Sequence, residues 1–121
     1  MATAAITVMA LLFLAMGLFG LAAPTALVAP FGIVLGGAEG RGEVRAVYGG
    51  FGVAIAVLLA LAAFGVPGLR PGAVVAVAAS LLGMAFGRLV ARLFERPSGF
   101  YPAWFYFWVE VAGGAVLLAA A

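Results

Sequence analysis

At 121 residues, 68% of them hydrophobic and 8% charged, the chain has six cationic and four acidic side chains and a formal net charge of +2. So few polar groups cannot clothe a water-soluble fold of this length, and lipid is the expected solvent. With neither Cys nor His present, disulfides, thiolate chemistry and Cys/His metal sites are excluded, no metal or cofactor is expected, and the small scattered charge argues against a nucleic-acid partner.

Roughly 20 predominantly apolar residues are needed for a helix to cross a bilayer. Four stretches reach that length, approximately residues 3–23, 43–64, 73–94 and 103–121. They predict one all-α domain, an integral membrane four-helix bundle with up-down-up-down topology, multi-pass in the lipid bilayer. The first stretch, Thr3 to Ala23, has no Lys or Arg ahead of it and is longer than the apolar region of a signal peptide, so it reads as a retained span. Pro24 and Pro30 follow it as stop signals. The next apolar run, Leu27 to Leu35, is too short to cross and reads as a re-entrant or interfacial piece.

The second span opens Glu43-Val44-Arg45-Ala46-Val47-Tyr48-Gly49-Gly50. Arg45 and Tyr48 stand three residues apart on one helix side, and Gly49 and Gly50 leave room there for a neighbouring helix or a ligand. Gly65-Val66-Pro67-Gly68 and Pro71-Gly72 separate it from the third span, where Gly83 and Gly87 form a GxxxG with Ser80 one turn earlier. Such a stripe lets backbones approach closely, either within the chain or against a second copy in a homo-oligomer. Arg88 and Arg92 follow on one face near the end of this span, with Glu95 within reach of Arg92.

Pro97-Ser98-Gly99 and Pro102 precede the fourth span, whose start is aromatic: Phe100, Tyr101, Trp104, Phe105, Tyr106, Phe107 and Trp108. That block reads as an interfacial belt. Glu110 lies seven residues into this span, roughly 10 Å below the interface, with no partner beside it in sequence. Antiparallel packing carries Arg88 to nearly the same depth, which predicts an Arg88 to Glu110 ion pair. Glu39, Arg41 and Arg96 read as solvated loop charges. Arginine is concentrated at the first and third connections, so that face is expected to be cytoplasmic, with both termini on the other side.

Charge at membrane depth is expensive and usually faces the bundle interior or a cavity. Arg45, Tyr48, Arg88, Glu110 and Arg92 are therefore the candidate ligand-binding residues, with Glu110 the candidate catalytic one.

These residues also carry a resemblance. Arg45-Ala46-Val47-Tyr48-Gly49-Gly50 opening a second span, Gly87-Arg88-Leu89 late in a third, a short Pro/Gly turn and Glu110 in the last span resemble the bacterial domain of unknown function 4345 family over nearly the whole chain. Those proteins are small, four-spanning and distantly similar to the DoxX-like membrane proteins. The resemblance implies this architecture and a bacterial inner-membrane location, without an activity.

Three functions are compatible with the residues. The first is a protein that binds an amphipathic ligand, lipid-like or quinone-like, in a one-sided Arg/Glu/Tyr pocket. The second is an intramembrane enzyme using Glu110 as acid or base on a hydrophobic substrate. The third is a structural or oligomerising subunit in which the buried charges only set helix register.

Overall fold

The computed structural model describes residues 1–121 as an all-α helical bundle with no strands. Four helices are long and apolar enough to cross a membrane: α1 (Ala2–Ala22), α3 (Ala38–Ala63), α4 (Arg70–Phe94) and α5 (Phe100–Ala120). The chain is a multi-pass membrane protein. A short helix α2 (Pro24–Val28) and a 3₁₀ turn (Ala29–Phe31) join α1 to α3.

Three helices begin earlier than sequence reading expects, for different reasons. At α4, Pro71 sits in the first turn, where its missing N–H would have had no partner and its fixed φ suits a helix. The same property makes Pro24 the start of α2 rather than simply the end of α1. At α3, the segment holding Glu39 and Arg41 is helical instead of a loop, with Glu39 in the first turn, where the helix dipole favours an anion. At α5, the chain enters through one irregular turn: Tyr101, directly before Pro102, is extended (φ −92°, ψ 136°), as the clash with a following proline demands. The turn between α3 and α4 is made at Gly65 (φ 84°) and Gly68 (φ 74°), left-handed positions that favour glycine.

Each long helix contributes one of the largest fully buried side chains: Ile6, Leu59, Val74 and Leu117. Two lie near helix starts and two near helix ends, so a single layer at one end of the bundle gathers all four, as antiparallel succession requires. Toward the other end, the backbones of α1 and α3 approach closely at glycines. A Cβ on Gly17 would stand 2.6 Å from the Val53 amide nitrogen, and one on Gly52 would stand 2.8 Å from the Gly17 Cα. Gly20 and Gly49 meet in the same way, the added Cβ of Gly20 lying 2.9 Å from the Gly49 nitrogen. The space at Gly49 is thus taken by α1, while Gly50 remains exposed.

Over Arg45–Gly50, within this contact, α3 widens to π-helical geometry, the Phe51 N–H reaching the Ala46 carbonyl five residues back. The expected GxxxG of α4 is not an internal contact. Gly83 and Gly87 are exposed, and a Cβ at either would meet nothing within 4 Å.

Candidate functional site: an arginine–glutamate pair with an aromatic wall

Glu110 is the one buried charged residue of the bundle. Its partner comes from α4. Arg88 donates from Nε to Oε1 at 2.7 Å and from Nη2 to Oε2 at 2.9 Å, a bidentate arrangement that fixes both side chains in one plane. The expected ion pair is present, and it is the only salt bridge in the chain. Glu110 faces inward because it shares a helix side with Phe107, Gly113, Gly114 and Leu117, all buried.

The pair is unevenly covered. The Glu110 side chain is 7% exposed and that of Arg88 27%. The guanidinium carbon lies 5.7 Å from the Phe31 ring centroid and 5.9 Å from that of Tyr106, and the two rings are themselves 5.5 Å apart. Arginine offers five N–H donors. Beyond the two given to Glu110, Arg88 makes no hydrogen bond to the chain.

The other candidate residues occupy different surroundings. Arg45 donates from Nε to the Leu21 carbonyl at 3.0 Å, closing the C-terminal end of α1, where unpaired carbonyls and the helix dipole attract a cation. Tyr48 is exposed on α3. Arg92, a turn beyond Arg88, is exposed and has no carboxylate within salt-bridge distance, so the pairing with Glu95 does not form. The hydrogen bonds of the site join Arg88 to Glu110 and link neither to Arg45, Tyr48 or Arg92.

Two residues of this arrangement escape sequence reading. Phe31 sits in the segment expected to be re-entrant or interfacial, where α2 and a 3₁₀ turn carry the ring to Tyr106. Tyr106 hides within an aromatic belt, although its position four residues before Glu110 on the same helix side marks it out.

The sequence matches the family described as domain of unknown function DUF4345 over residues 1–121. The chain belongs to that family. No curated protein and no solved structure matches it. In this DUF4345 protein, two of the motif residues that carry the resemblance, Arg88 and Glu110, meet in the tertiary structure, and a third, Arg45, anchors a helix end.

Proposed function

We propose that this is a bacterial inner-membrane protein that binds an amphipathic, lipid-like ligand at the Arg88–Glu110 site. The observation that carries the reading is an arginine within a membrane-crossing helix, paired on one edge, open on another, and set against two adjacent aromatic rings. An arginine needed only to hold α4 against α5 would gain from burying that open edge. Left partly exposed at this depth, its remaining N–H groups seek an acceptor, and an oxygen-bearing head attached to a hydrocarbon chain supplies one.

The reading as an intramembrane enzyme with Glu110 as acid or base draws less support, because both carboxylate oxygens are already turned toward Arg88. The arginines not held by other groups, Arg41, Arg92 and Arg96, all belong to the end of the bundle that carries the site. Their placement favours a cytoplasmic location for that end.

Protein purified in a mild detergent and examined by native mass spectrometry tests the proposal. Wild type is expected to retain a lipid-sized adduct, or to regain one from added lipid extract. The Arg88→Met/Glu110→Leu double variant should fold and carry none. Wild-type protein that keeps its fold after delipidation and then rebinds nothing from the extract would overturn the reading.

A further inference from the structure

We infer that the site selects an uncharged amphiphile, one with a carbonyl-bearing head hydrogen-bonded to Arg88 and a single hydrocarbon chain lying in a groove between α1 and α5. The inference rests on the ligand-binding reading above and names the class of ligand.

The head follows from charge. Arg88 is neutralised by Glu110 through two short hydrogen bonds, and no second cation contacts the pair. An anionic head brought to the open edge of Arg88 would gain one attraction and meet the Glu110 carboxylate in a medium that screens poorly. A neutral carbonyl oxygen receives a charge-assisted hydrogen bond from the same edge without bringing another charge out of water. Arg92 does not alter this balance, since it is exposed, a turn nearer the aqueous face, and its long side chain can keep its charge in water.

The chain follows from the groove. Between α1 and α5 runs an apolar furrow of about 460 Å³, its nine lining residues including Ala5 and Met9 on one wall and Val109, Ala112, Gly113 and Val116 on the other. Ala112, small and exposed, leaves the seam open, whereas the space beside Gly113 is filled by Met9 and Leu81. Along α5 the furrow begins near the polar site. Tyr106, Val109, Gly113 and Val116 recur at intervals of three and four on one side of α5, so the groove starts a turn beyond the ring that flanks Arg88. From Tyr106 to Val116 is roughly 15 Å at the helical rise, about half the hydrocarbon thickness of a bilayer. Val109 and Val116 are exposed on its outer lip, where the surrounding solvent is lipid. A linear chain entering from that side reaches Arg88 with its head.

Equilibrium binding of a monoacylglycerol, a fatty acid and an alkyl phosphate of one chain length, measured by native mass spectrometry on the detergent-solubilised protein, tests the inference. The monoacylglycerol is expected to bind wild type about tenfold more tightly than either anion. Glu110→Gln, which leaves Arg88 unneutralised, should reverse that order. Ala112→Phe, on the exposed wall of the groove, should weaken the monoacylglycerol about tenfold while leaving thermal stability unchanged. Anions preferred by wild type, or an Ala112→Phe variant that binds as wild type does, would overturn the inference while leaving the ligand-binding reading standing. Wild type that binds none of the three probes but retains a lipid from extract also overturns it. Failure to bind the probes and the extract alike defeats the underlying reading as well.

Discussion

The two ends of the bundle hold together by different means. At one end, Ile6, Leu59, Val74 and Leu117 interlock as a fully buried apolar layer. Arg70 closes that end, donating to the carbonyls of Ala62 and Ala63 at 3.3 Å and to the Thr3 hydroxyl at 3.0 Å. Its partners are all neutral, and they tie the end of α3 and the start of α1 to the start of α4. At the other end, α1 and α3 touch through glycine backbones, α4 and α5 are joined by the Arg88–Glu110 pair, and the covering is aromatic. Arginine serves both ends. Where its partners are carbonyls at helix termini it is a clip; where its partner is a carboxylate inside the span, with donors to spare, it forms a site.

The largest expected effect comes from unbalancing the ion pair. Glu110→Ala leaves a cation inside the bundle without its counter-charge and should destabilise by about 3–5 kcal/mol, read as a lowered midpoint in thermal or denaturant unfolding in detergent. Arg88→Met combined with Glu110→Leu should recover most of that loss, because packed apolar groups replace a buried pair at little net cost. Stability restored without ligand binding would separate the structural role of the pair from its functional one.

Next in size is the glycine contact. Gly17→Ala drives a Cβ against the Val53 and Gly49 backbones, which cannot rotate away, and should cost about 1–3 kcal/mol on the same unfolding measurement. Loss of the clip at the opposite end is smaller. Arg70→Met removes three hydrogen bonds at the bundle margin and should lower stability by about 1–2 kcal/mol with ligand binding unchanged. An equal loss of binding in Arg70→Met would erase the distinction between the two ends.

The smallest effect is expected at Gly83, which faces outward with open space where a Cβ would go. Gly83→Ala should be neutral or stabilise by about 0.5–1 kcal/mol through helix propensity. The size of the detergent-solubilised particle, measured by light scattering, provides the sharper readout. A dissociated particle in Gly83→Ala would show that a second copy packs on this stripe.

Much of this was legible in the residues. Apolar runs of spanning length located the four helices to within a few residues, and equal depth in antiparallel neighbours predicted the partner of Glu110. Helix starts differ from expectation where a proline signals a stop or a charge signals a solvated loop, since Pro71 is compatible with a first turn and Glu39 favours one. The small-residue stripe was visible at Gly83 and Gly87, yet the close approach uses Gly17, Gly20, Gly49 and Gly52, because a spacing shows that backbones are able to meet and not which ones do.

Sequence alone therefore determined the lipid solvent, the helices and the pairing of Arg88 with Glu110, all of which follow from hydropathy, helical rise and the high cost of unpaired charge in hydrocarbon. Tertiary structure decided the rest. It bonded Arg45 to the end of α1, turned Phe31 and Tyr106 toward Arg88, and left a groove open between α1 and α5. Those outcomes depend on how helices rotate and tilt against one another, and in lipid that is set by close packing among many near-equivalent apolar faces, which a hydrophobic run of residues does not distinguish.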